Sequence, residues 1–155
     1  METVDLMDQL EAVLPRMDPA QEAQEIVTVM ARVIRAESAA VFVERGGALH
    51  WLAGDPLSND AGTPIRSAWS AQQRRLLSGT AFTEAPAPAL RPMHAWLMWM
   101  RRPEDAGLDV IYFAGTNLRP LRACSAPLER LAALLPGHRR VMGCDDLSGY
   151  ENRIR

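Results

Sequence analysis

Apolar positions recur along this chain at two different periods, and each change of period marks an element. Val4, Leu6, Met7, Leu10, Val13 and Leu14 fall at helical spacing and Pro15 closes the segment, which predicts an N-terminal helix over residues 1–16. Asp18 followed by Pro19 reads as the N-cap and first turn of a second helix, with Glu22 and Glu25 suited to the positive end of its dipole. Ile26, Val29, Met30, Val33 and Ile34 form its inward stripe. Strands are then expected over 38–44 and 49–53, joined at Arg45-Gly46-Gly47, where the glycines supply the positive φ of a tight hairpin.

Residues 54–64 read as a loop, and 65–78 return to helical period with Ile65, Ala68, Trp69, Gln72, Leu76 and Leu77 as landmarks and Ser78-Gly79 as the stop. A short strand is expected over 80–83, and the proline-rich 84–92 should be an extended surface loop. The strongest pattern lies between His94 and Gly115. Two apolar runs, 95–100 and 108–114, flank the polar turn Arg101-Arg102-Pro103-Glu104-Asp105-Ala106-Gly107, as a hairpin does. Both arms are apolar at nearly every position, which predicts the centre of a sheet covered on both faces. Alternation puts His94, Trp96, Met98 and Met100 on one face of the first arm, and Ala95, Leu97 and Trp99 on the other. A final helix should start at Ser125 or Ala126, present Leu128, Leu131, Leu134 and Leu135, and end at Pro136-Gly137. The elements make an α+β chain with an antiparallel sheet.

Composition narrows the classes. At 155 residues the chain is one domain long, and no run approaches the roughly 20 apolar residues that span a bilayer. A net charge of -2 gives no reason to expect a nucleic-acid surface. All 17 basic residues are Arg, which reads as coding bias more readily than as a phosphate-binding design. Two cysteines, Cys124 and Cys144, make no framework, and the acidic N-terminus lacks a signal peptide's basic region, so a reducing cytoplasmic setting fits.

Candidate chemistry is sparse. His50, His94 and His138 are scattered, no ligand spacing or catalytic signature occurs, and no metal, cofactor or catalytic residue is assigned. The Cys144-Asp145-Asp146 cluster with a distant His is a poor metal site, and Cys124, beside a helix start, reads as a small buried apolar residue. Arg74-Arg75 and Arg101-Arg102 read as solvated faces, with an acidic partner as the other reading. The four tryptophans are the informative residues, because they supply large flat surfaces for a core or for a pocket.

The order of elements and four local matches resemble the GAF sensory-domain family. Residues 26–43 look like its first helix and strand, LLSGTAFTE around Gly79 like the short strand before its binding loop, residues 96–114 like its paired central strands, and 119–135 like its closing turn and helix. The resemblance covers residues 17–136, leaving 1–16 as an N-terminal helix and 137–155 as an extension. It departs at Asp109, where a second glycine is common, and in the proline-rich 84–92, unlike the ligand-covering helix of cyclic-nucleotide-binding members. It implies a GAF-like, profilin-like antiparallel sheet of five to six strands, with helices packed on one face and a pocket on the other. It implies a non-catalytic bacterial regulatory domain that binds a small ligand or a partner protein and dimerises through its terminal helices. The candidate pocket is Trp51, Arg66, Trp69, Phe82, Trp96, Met98 and Tyr112, with Arg66 or Tyr112 orienting a polar end of the ligand. Two other classes stay open: a secretion chaperone or adaptor, and a thiol-dependent methionine sulfoxide reductase using Cys124.

Overall fold

A computed structural model describes residues 18–56, 59–85 and 93–138. The expected N-terminal helix, most of the proline-rich loop and the chain after His138 lie outside the described residues.

Helix α1 (Pro19–Ile34) starts as its sequence dictates. Asp18 accepts from the Gln21 amide at 2.9 Å and the Gln21 side chain accepts from the Asp18 amide at 3.3 Å, so the cap is reciprocal. Arg35 closes it in the left-handed region at φ 62. The whole expected stripe, Ile26, Val29, Met30, Val33 and Ile34, is buried, along with Ala23 and Val27.

Five strands follow around two further helices: β1 (Ser38–Arg45), β2 (Ala48–Gly54), α2 (Asn59–Arg75), β3 (Thr80–Ala85), β4 (His94–Arg101), β5 (Leu108–Gly115) and α3 (Leu121–Ala132). The sheet order is β2-β1-β5-β4-β3, with every neighbouring pair antiparallel. The β1–β2 turn uses Gly46 and Gly47 at φ 61 and 81, as the paired glycines required. The long hairpin is the centre of the sheet, and every residue of β5 is buried. Its register sets Trp96 opposite Phe113, Leu97 opposite Tyr112 and Trp99 opposite Val110.

Strand alternation divides the core into two layers. On the back face Val41, Met98, Met100, Ile111 and Phe113 pack with Ile26, Met30, Cys124, Leu128 and Leu131 of α1 and α3. On the front face Ala40, Phe42, Leu97, Trp99, Val110 and Tyr112 pack with Ile65 and Trp69 of α2. Two of the three described helices therefore lie behind the sheet, and the third crosses the front.

Two helix boundaries differ from the pattern-based expectation. Helix α2 begins at Asn59, so it runs through Gly62 and Pro64, residues that locally disfavour a helix. Burial of Ile65 against the front of the sheet outweighs that preference. Helix α3 begins at Leu121 after Pro120, carries Pro127 inside it and ends at Ala132, while Leu134 and Leu135 continue as turns.

Candidate functional site

Tyr112 sits at the centre of the front face, between Ala40 on β1 and Leu97 on β4. Small residues stand toward one end of the strand, with Ala114 next along β5 and Ala95 opposite it on β4. Tyr112 is 2% exposed, and among the described residues its hydroxyl is the buried side-chain polar atom without a hydrogen-bond partner. Burial pushes its pKa up to about 12. The two indole N–H groups of this layer are engaged. Trp69 Nε1 donates to the Leu108 carbonyl at 2.9 Å and Trp99 Nε1 to Thr83 Oγ1 at 2.8 Å. The front layer thus offers one hydrogen-bonding group in apolar surroundings.

The seven sequence-predicted pocket residues do not line one cavity. Trp69 and Tyr112 belong to the front layer. Met98 is fully buried in the back layer, and Phe82 packs against that layer from β3. Trp96 shares the back-facing parity of Met98 and is half-buried. Trp51 is 50% exposed on the edge strand β2, and Arg66 is exposed on α2. Choosing the Trp96–Met98 set as the pocket face assigned β4 the wrong way round, because Met98 and Met100 meet α1 and α3 while Leu97 and Trp99 point forward. An open groove of about 560 Å3 runs between α1 and the sheet and is lined by Gln24, Thr28, Arg32, Arg35, Glu37 and Asp55 among others. None of the seven candidates borders it.

The polar turn of the central hairpin holds a cluster that pattern reasoning missed. Asp109 is 1% exposed and points to the back. One of its oxygens accepts from Arg102 Nη1 at 2.5 Å and from the Glu44 amide at 2.9 Å, and the other lies 2.7 Å from His138 Nε2. Arg102 also reaches Glu44 Oε1 at 3.2 Å and Asp105 Oδ1 at 2.8 Å. The Arg102 hydrogen bond, with the Gly107 amide, holds the Asp105 carboxyl below its usual range. Arg101 turns the other way and donates to the carbonyls of Gln73, Leu76 and Ala106 and to Gln73 Oε1. The expectation that Arg101 and Arg102 are solvated is therefore corrected: one fastens the C-terminal end of α2, the other a buried carboxylate. Arg74 and Arg75 are exposed as expected. The available signal was Asp109 itself, a charge inside an otherwise apolar strand, which demands partners.

No family model matches the chain, and no curated protein matches it. Solved structures do. The chain is similar to the GAF domain assigned to a sensor histidine kinase of Pseudomonas syringae pv. tomato, with 14% identity, a TM-score of 0.59, and 97% of this chain and 92% of that one covered. It is also similar to the GAF domain of a phosphoenolpyruvate-protein phosphotransferase of Coxiella burnetii, with 12% identity, a TM-score of 0.50 and coverages of 84% and 92%. The fold is that of a GAF domain.

Within this GAF fold the thiol is badly placed for chemistry. Cys124 is 1% exposed on the inner side of α3, and its Sγ donates to the Val33 carbonyl at 3.7 Å. Burial pushes its pKa up, with Arg119 pulling weakly the other way, whereas an attacking thiol needs the opposite shift. Cys144 lies outside the described residues. No group of three His, Cys, Asp or Glu side chains converges as a metal site among the described residues. No described helix is long and apolar enough to cross a membrane.

Proposed function

We propose that this chain is a non-catalytic regulatory domain of the sensory type, which takes a small ligand at the front of its sheet with Tyr112 as the polar anchor. The observation that carries the reading is the buried, unpartnered Tyr112 hydroxyl. An orphaned buried polar atom costs stability unless something completes it, so it marks a place where a partner group belongs. Around it stand Ala40, Leu97, Val110 and Ala114, with the tryptophans' N–H groups already engaged. The ligand this favours is mainly apolar and carries one hydrogen-bonding oxygen or nitrogen. GAF domains of a sensor kinase and of a phosphotransferase among the structural neighbours agree with a regulatory role. A cytoplasmic location and a dimer made through the terminal helices belong to the same proposal.

The test is native mass spectrometry on protein purified from its host, beside Tyr112→Phe. Wild type should retain a small molecule that the variant binds at least about tenfold more weakly, the factor expected for one lost hydrogen bond in a dry site. Bare protein in both samples would overturn the ligand reading.

One observation favours a second reading, a protein-interaction module of the adaptor type. Trp51 stands half-exposed in the middle of the edge strand β2, which has no charged residue along Ala48–Gly54. Loss of a co-purifying protein on Trp51→Ser, with no small molecule in either sample, would favour that reading.

A further inference from the structure

We infer that the Asp109 cluster is a joint: it ties the end of the described chain at His138 to β5 and carries a change at the front of that strand to this exit. The transmission, though not the tie, rests on the front-face reading proposed above. A single carboxylate gathers donors from three separate parts of the chain: the β1 backbone at Glu44, the hairpin turn at Arg102 and the turn after α3 at His138. Asp109 is 1% exposed and His138 8% exposed, so water does not replace a partner that leaves.

Two glycines make the close approach possible. A Cβ at Gly107 would overlap Arg102 Nη2, and one at Gly137 would come within 2.7 Å of Arg102 Cδ. Arg102 is threaded between the hairpin turn and the residue preceding His138. The end of the described chain is therefore held by directional polar bonds as well as by the apolar contacts of Leu135.

Tyr112 lies three positions along the same strand from Asp109 and on the opposite face. Strand β5 is hydrogen-bonded on both sides and buried throughout, so it responds as a packed unit rather than by local bending. Hydrogen bonds weaken steeply with distance and angle, so a small displacement of β5 acts strongly on the Asp109–His138 contact.

The experiment is limited trypsinolysis of the full chain. It follows cleavage after Arg139 and Arg140, which directly follow His138, with cleavage after Arg32, inside the core-packed helix α1, as the reference for global opening. His138→Ala should speed cleavage at the exit by roughly ten- to hundredfold, the effect of losing one charged hydrogen bond, and leave the Arg32 rate unchanged. His138→Gln, which can still donate to Asp109, should stay near wild type. If the alanine variant speeds both sites together, it has lost its fold, and His138→Phe, which keeps a ring without a donor, carries the same comparison. Tyr112→Phe should change the exit rate in the wild-type background and not in His138→Ala. An unchanged exit rate in both His138→Ala and His138→Phe overturns the joint. A Tyr112→Phe effect that is equal in both backgrounds, or absent from both, overturns the transmission. Failure to find a bound small molecule leaves these rates as they are, so the two readings fail separately.

Discussion

The indole N–H of Trp99 donates to the hydroxyl of Thr83 at 2.8 Å, joining β4 to β3 on the front of the sheet. Trp99 is fully buried, so this N–H has no water to fall back on. The bond marks Trp99 as a finished part of the core and leaves Tyr112 as the unfinished one. Thr83→Val keeps the shape and removes the acceptor, and should cost about 1–3 kcal/mol. Thr83→Ser should recover most of the loss. Urea unfolding followed by tryptophan fluorescence measures both, and a Thr83→Val midpoint equal to wild type would remove the argument.

The Asp109 cluster should behave as a buried ionic unit. Asp109→Ala takes from Arg102 the most deeply buried of its three carboxylate partners and leaves His138 and the Glu44 amide without their acceptor. Breaking one side of such a buried pair typically costs about 3–5 kcal/mol. Because the pair is shielded, the penalty should be nearly the same in low and in high salt. A loss below 1 kcal/mol in urea melts, or one that salt abolishes, would mean the charges are solvated after all.

Cys124 should be inert while the domain is folded. In a Cys144→Ser background, alkylation at pH 8 should run about a thousandfold or more slower than in urea, since the thiol reacts only after opening. Burial raises its pKa, which slows the reaction further. Fast labelling of native protein, or methionine sulfoxide reduction that disappears in Cys124→Ser, would restore the thiol-enzyme reading.

What could be read from the sequence follows from the range of each interaction. The capped start of α1, the Gly46-Gly47 hairpin and the two arms around residues 101–107 are written in neighbouring residues, and the structure has them there. Helix boundaries at Asn59 and Leu121 were hidden because Gly62, Pro64, Pro120 and Pro127 argue locally against a helix that tertiary burial enforces. Alternation separated the two faces of β4 correctly, but period alone does not say which face meets helices α1 and α3. That is why Phe82, Trp96 and Met98 were grouped with Tyr112, which lies across the sheet from them. The Asp109 partners come from positions 44, 102 and 138, a convergence that no local spacing reveals.

Tyr112 gives the domain an alkaline signature that tests its isolation. Below the ordinary phenol range, near pH 10, folded and unfolded chains both keep this proton and stability is indifferent to it. Between there and a native value of about 12 the unfolded chain gives the proton up first. The native state then binds more protons, so stability falls as pH rises, by at most about 1.4 kcal/mol per pH unit. The chain contains no lysine, which removes the usual competitor from this pH range. Cys124, also raised by burial, contributes equally to wild type and to Tyr112→Phe, so the difference between their urea midpoints from pH 9 to 12 isolates the tyrosine. Tyr112→Phe should match or exceed wild type by up to about 1 kcal/mol at pH 8, because it deletes an unpaired buried hydroxyl. Its advantage should then widen above pH 10. A difference that stays flat to pH 12, or a variant clearly weaker at pH 8, would mean the hydroxyl already has a partner in the free domain, and the ligand reading would lose its anchor.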